Sequence, residues 1–211
     1  MRGKLIIISS PSGGGKGTLI REILQTVPNL GYSVSHTTRG PRFGEEEGRD
    51  YHFVSSAEFR ASIESDAFLE YAEVHGNFYG TSKEQIEKII SEGRDAILEI
   101  DVQGALSVLE KVPDSLSIFI LPPSFEVLRA RLTARNTEDA AGLALRLKNA
   151  YGEVMQYSRF DYVVINDQLT SAIRSLGSII CAERQRRDRQ TEPIQAILDS
   201  FARAKETTAG E

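Results

Sequence analysis

A glycine-rich stretch joins a short apolar run to an amphipathic one, and this junction constrains the fold more than any other part of the chain. Lys4-Leu-Ile-Ile-Ile-Ser9 is apolar on both faces, as expected of a strand buried in a parallel sheet. Ser10-Pro-Ser-Gly-Gly-Gly-Lys-Gly-Thr18 follows, and then Leu19, Ile20, Ile23, Leu24 and Val27 recur at helical spacing until Pro28 and Gly31. Strand, glycine loop, lysine and helix in that order make a phosphate cradle. Glycines let backbone N–H groups wrap an anion, and the helix N-terminus adds partial positive charge. Lys16 is placed to reach the outer phosphates of a nucleotide. The pattern departs from G-x-x-x-x-G-K-[ST] at two points. Ser10 stands at the first glycine, and Gly17 separates Lys16 from Thr18, so the usual magnesium-ligating hydroxyl after the lysine is missing. Thr18 either takes over that role or contacts phosphate alone.

The rest of the chain predicts strands at Phe68–Val74, Ala96–Asp101, Ser117–Leu121 and Tyr162–Asn166. Helices are expected over Ser56–Ser65, Ser82–Glu92, Gln103–Leu109, Ser124–Ala134, Leu143–Tyr157 and Leu169–Gln185, with a turn region at Gly76–Gly80. Strand–helix alternation near both ends implies a parallel, helix-covered sheet. Residues 35–82 break the alternation with short polar strands and read as an inserted lobe, while 186–211 are highly charged and are expected to fray.

Composition narrows the class of protein. The 211 residues carry 25 Lys+Arg against 30 Asp+Glu, a net charge of −5 that disfavours bulk binding to nucleic acid. A single Cys excludes an internal disulfide and fits a reducing compartment. The longest apolar runs are about four residues, far short of the ~18 a membrane span requires, and too short for a signal peptide after the basic Met1–Lys4. A cytoplasmic protein without nucleic-acid or membrane partners is the expectation. Against that acidic balance, the arginines are grouped.

One group is Ser35-His-Thr-Thr-Arg-Gly-Pro-Arg42, with Arg49-Asp50-Tyr51 following. Arginine forks match phosphate oxygens bidentately and a tyrosine hydroxyl adds a donor, so Arg39, Arg42 and Tyr51 suit a phosphoryl acceptor that already carries a phosphate. Glu70, Tyr79, Thr81 and Asp101 follow. A carboxylate accepts from guanine N1–H and N2–H while a hydroxyl donates to O6; adenine presents the opposite pattern and would leave buried polar groups unpaired. Taken singly, each of these residues has a purely structural explanation as well.

Together the motifs closely resemble the guanylate kinase family. The resemblance is carried by Ser12-Gly-Gly-Gly-Lys-Gly-Thr18, Ser35 to Arg42, Gly48-Arg-Asp-Tyr-His-Phe53, Phe68-Leu-Glu-Tyr71, Gly76-Asn-Phe-Tyr-Gly-Thr81, Ile100-Asp-Val-Gln-Gly104 and Asp161-Tyr-Val-Val-Ile-Asn166, in family order over roughly residues 3–185. It implies an α/β fold: a P-loop NTPase-type parallel sheet covered by helices, with a mixed α+β GMP-binding insert and a helical lid. On that division the core is 1–34, 83–122 and 158–185, the insert 35–82, the lid 123–157 and the charged tail 186–211. It implies ATP-dependent phosphorylation of GMP and dGMP with Mg2+. Ser12, Gly13, Gly14, Gly15, Lys16, Gly17, Thr18, Arg131, Arg135 and Asn166 then belong to the ATP side. Ser35, Arg39, Arg42, Tyr51, Glu70, Tyr79, Thr81 and Asp101 belong to the GMP side. Lys16, Arg39, Arg135 and Arg146 are the expected catalytic charges, and Thr18 and Glu99 the candidates for the metal, with Asp101 an alternative to Glu99. Three rivals stand beside this reading. One is a non-catalytic module of the same fold, and one a P-loop kinase for another phosphorylated small molecule. The third is a nucleic-acid binder using Arg184, Arg186, Arg187 and Arg189.

Overall fold

The first strand, β1 (Leu5–Ser9), is buried along its whole length, which an all-apolar strand requires when both faces of its sheet are covered. It lies at the centre of a five-stranded parallel sheet in the computed structural model, which describes residues 2–74, 76–134 and 140–208. Beside β1 run β7 (Asp95–Glu99) on one side and β8 (Leu116–Leu121) on the other. The sheet continues outward to β2 (Leu30–Tyr32) and β9 (Tyr162–Ile165), in the order β2-β7-β1-β8-β9. On one face α1 (Lys16–Thr26) and α7 (Leu169–Arg184) cover Ile6, Ile8, Ile97, Ile118 and Ile120. On the other, α3 (Lys83–Ser91) and α4 (Val102–Lys111) cover Leu5, Ile7, Leu98 and Phe119. Successive side chains of one strand thus serve two separate apolar layers.

A second, four-stranded sheet has the order β4-β3-β6-β5, built from β3 (His36–Thr37), β4 (His52–Phe53), β5 (Phe68–Val74) and β6 (Asn77–Ser82). Strands β3 and β4 pair parallel, and β6 pairs antiparallel with both β3 and β5. Helix α2 (Ser56–Glu64) starts in a capping box between Ser55 and Glu58 and lays Phe59 against this sheet. The expected turn at Gly76–Gly80 is corrected: from Asn77 onward it is strand β6. Gly80 interrupts the apolar–polar alternation because a Cβ there would meet Phe59 at 2.9 Å and Phe68 at 3.2 Å. The strand therefore gives up a side chain so that two aromatic rings can pack on its backbone.

Helices α5 (Phe125–Ala134) and α6 (Ala140–Val154) pack through Leu128, Leu132 and Ala150, with a 3-10 turn over Met155–Arg159. The last segment also differs from expectation. Thr191–Thr208 form a helix, α8, where the charge density suggested fraying. Ile194, Ile197, Leu198 and Phe201 recur at helical spacing along it and are exposed. No helix among the described residues is long and apolar enough to cross a membrane.

At the end of the sheet away from the glycine loop, Asp95 ties three distant segments together. Its carboxylate, 3% exposed, accepts from the Lys4 N–H at 2.8 Å, Arg184 Nε at 2.7 Å and Arg189 Nη2 at 3.0 Å. Removing one partner of such a group leaves the other charges desolvated and unpaired. Asp95→Ala is expected to lower unfolding free energy by about 3–5 kcal/mol, read as a fall in the urea midpoint at unchanged slope.

Candidate active site

The glycine loop is bent at two left-handed residues, Gly13 (φ 84°) and Gly15 (φ 86°), a conformation that side chains rarely adopt. A Cβ on Gly15 would also lie 2.4 Å from Asn166 Nδ2. That closeness reflects a brace. Buried Asn166 donates from Nδ2 to the Gly14 carbonyl at 2.9 Å, and Arg131 Nη2 donates to the Asn166 carbonyl at 2.9 Å. Residues expected near a nucleotide therefore hold the loop itself. Within the loop, the Gly14 N–H closes a turn on the Pro11 carbonyl at 2.9 Å.

Lys16 opens α1 and folds back across the loop, donating from Nζ to the Ile100 carbonyl at 2.6 Å. Burial pulls its pKa down, while Glu99, Asp101 and Glu153 pull the other way. Glu153, on α6, was not singled out from the sequence. Its Oε2 accepts the Ser12 N–H at 2.9 Å, so a carboxylate sits on the backbone of the glycine loop. Glu153, Asp101 and Gly152 also line a cleft between α4 and α6. Thr18 is exposed on the first turn of α1, and Arg146 lies half-buried on α6. Arg135 falls outside the described residues.

Glu70 and Thr81 stand side by side on the paired strands β5 and β6. Both are buried, and Thr81 Oγ1 donates to Glu70 Oε1 at 2.6 Å. Burial pushes the Glu70 carboxyl above its usual value, against the opposing effect of the Thr81 hydrogen bond, and Asp101 adds to the rise. The strand expected to end at Asp101 stops at Glu99 instead, and Asp101 caps α4 by accepting the Gly104 N–H at 2.7 Å. A Cβ on Gly104 would lie 3.1 Å from Glu70 Oε2 and 3.3 Å from Asp101 Oδ1. The two carboxylates thus converge at the start of α4, where β5 packs on that helix.

Arg39 lies at the other end of that sheet. Its guanidinium forms a bidentate pair with Glu45, 2.9 Å on each arm, and sits 5.3 Å from the Tyr51 ring centroid. The hydrogen bonds it donates to Glu45 raise its pKa further, with Tyr79 contributing. Tyr51 packs edge-on to Tyr79 at 5.9 Å. Arg39 Nε is buried without a partner among the described residues. Arg42 is exposed, and its N–H donates to Glu45 Oε2 at 2.8 Å. Ser35 lies between β2 and β3, and its carbonyl accepts the His52 N–H at 2.9 Å. Glu45 went unnoticed in the sequence, where an acidic run after Arg42 reads as a solvated loop.

Comparison with known proteins agrees with this geometry. The family model described as guanylate kinase matches residues 2–183. Guanylate kinase from Clostridium perfringens is 48% identical over 193 residues, covering 92% of this chain and 89% of the relative. That from Neisseria meningitidis is 48% identical over 199 residues, covering 94% and 97%. The crystal structure of guanylate kinase from Anaplasma phagocytophilum superposes with a TM-score of 0.74 at 36% identity, covering 89% of each chain. A chain with a glycine loop braced from β9 and α5 and a buried carboxylate–threonine pair is thus accompanied by close relatives along nearly its whole length, and it belongs to the guanylate kinase family.

Proposed function

We propose that this protein transfers the γ-phosphate of ATP to GMP, and to dGMP, giving ADP and GDP or dGDP. The observation that carries the reading is the buried Glu70–Thr81 pair beside Asp101, in a chain that also holds a phosphate loop. A sugar phosphate has no base edge to be read by such a pair. Glu70 accepts from guanine N1–H and N2–H; Ser35, Thr81 and Asp101 complete the polar wall. An adenine placed there would leave a buried carboxylate facing acceptors.

The Arg39 fork, with Arg42, Tyr51 and Tyr79, grips the acceptor phosphate. Glu45 holds the fork in place, and the unpartnered Arg39 Nε gives an anion one more donor. The backbone of Ser12 to Thr18 and the Lys16 ammonium hold the donor phosphates, and Arg131 and Asn166 keep that loop in shape. Arg135 and Arg146, with the helices of 123–157 acting as a lid, bring further positive charge to the transferring group. Residues 35–82 form the GMP-binding insert on a core of 1–34, 83–122 and 158–185, with 186–211 outside the reaction.

Mg2+ fits this site as an ion that arrives on the nucleotide. It keeps most of its ligands as water and phosphate oxygens and needs one or two carboxylates. Glu99, at the end of β7, faces Gly17 of the loop and would hold such a shell, with the exposed Thr18 hydroxyl a second oxygen donor. When bound, Mg2+ neutralises charge on the β- and γ-phosphates. The residues of the chain contribute positioning and electrostatic stabilisation of an in-line transfer, and closure keeps water from the γ-phosphate.

Coupled ADP release with ATP and a panel of GMP, dGMP, AMP, UMP and a sugar phosphate tests the reading. Turnover with GMP and dGMP alone is expected, and equal turnover with AMP or the sugar phosphate would refute it. Lys16→Ala is expected to lower kcat by roughly a hundredfold or more in a protein that still folds by circular dichroism. Glu70 accepts on both oxygens only when ionised, and burial holds its pKa above the usual 4.5. Lowering the pH through that raised value protonates it, so the KM for GMP is expected to rise while the KM for ATP does not. Glu70→Gln is expected to lower GMP-over-AMP selectivity by about 10–100-fold and to flatten that pH dependence.

A further inference from the structure

Gly17 occupies the position directly after the loop lysine, where a P-loop ordinarily presents a magnesium-ligating hydroxyl. Nothing in its surroundings demands a glycine. It lies within α1, and a Cβ built on it would stand 3.4 Å from Glu99 Oε1 and 3.8 Å from Oε2, ordinary contact distances. A serine side chain there would point at the Glu99 carboxylate.

A hydroxyl does reach that carboxylate from another element. Tyr32, the last residue of β2, donates from its OH to Glu99 Oε2 at 3.2 Å. The strand carrying it is registered on β7, with Tyr32 opposite Ile97, and its ring packs against the apolar layer between α1 and the sheet. The donor is therefore mounted on rigid structure, two residues along β7 from the group it bonds. The terminal torsion of a glutamate is soft. A bond to Oε2 restrains that torsion, with Oε1 the oxygen nearer Gly17.

We propose that Tyr32 is a positioning residue that replaces the missing loop hydroxyl: by holding Glu99 Oε2 it aims Glu99 Oε1 at the water shell of the nucleotide-borne Mg2+. This rests on the magnesium-dependent reaction proposed above. Partners that orient a metal-organising group commonly change metal affinity by 10- to 100-fold when removed.

Calorimetric binding of ATP, with Mg2+ and with EDTA, separates this from a purely structural bond. Tyr32→Phe keeps the ring and removes the hydroxyl. It is expected to weaken binding of Mg-ATP roughly tenfold, to raise the Mg2+ concentration for half-maximal turnover by a similar factor, and to leave metal-free ATP binding unchanged. Adding Gly17→Ser to Tyr32→Phe supplies a new hydroxyl against Glu99 and is expected to recover most of the loss. Unchanged Mg-ATP binding in Tyr32→Phe, or an equal loss with and without metal, overturns the assignment. A selective loss that Gly17→Ser does not recover overturns the replacement of the loop hydroxyl. Wild-type protein that phosphorylates GMP without any metal dependence overturns the magnesium reading itself, and Tyr32 with it.

Discussion

A loop that offers its N–H groups to an anion can spend few of them on holding its own shape, so beyond the Gly14 N–H bond to Pro11 the shape must be imposed from outside. Here that work falls to Asn166, at the end of β9, whose amide holds the Gly14 carbonyl, and to Arg131, which in turn holds the Asn166 carbonyl. The sheet order makes this possible. Strand β9 is an edge strand, and its pairing with β8 carries the end of β9 to the rim where the loop leaves β1. Two left-handed glycines then complete the bend. Braced loop, parallel register and helix N-terminus form one arrangement.

The second sheet is organised by a different rule. Its charged groups are each held by a neighbouring side chain: Arg39 by Glu45, Glu70 by the Thr81 hydroxyl. Buried charges with satisfied partners stay in one geometry, whereas an isolated one would neutralise or swing to solvent. The four-stranded sheet sets the spacing between the arginine end and the carboxylate end, and Gly104 lets Asp101 and Glu70 converge.

Much of this was legible in the sequence because it rests on local chemistry. The glycine loop, the Arg39 to Arg42 segment and the Glu70, Thr81 and Asp101 set each pair a residue type with a nearby backbone pattern. What escaped notice depends on contacts far apart in the chain or on exceptions to periodicity. Strand β6 was hidden by Gly80, whose absent side chain makes sense only once Phe59 and Phe68 are folded over it. Helix α8 was masked by its charge, although Ile194, Ile197, Leu198 and Phe201 carried the helical period. Glu45 belongs to an acidic run that gives no hint of its partner. Glu153 and Tyr32 act on groups 141 and 67 residues away, respectively.

The bond between Glu153 and the Ser12 N–H makes the protein its own competitor. An anion taking that N–H has to displace a carboxylate already seated there, so its affinity is discounted by the fraction of molecules in which the seat is taken. By thermodynamic linkage the discount is mutual: filling the loop weakens the hold of the Glu153 side chain on it by the same factor.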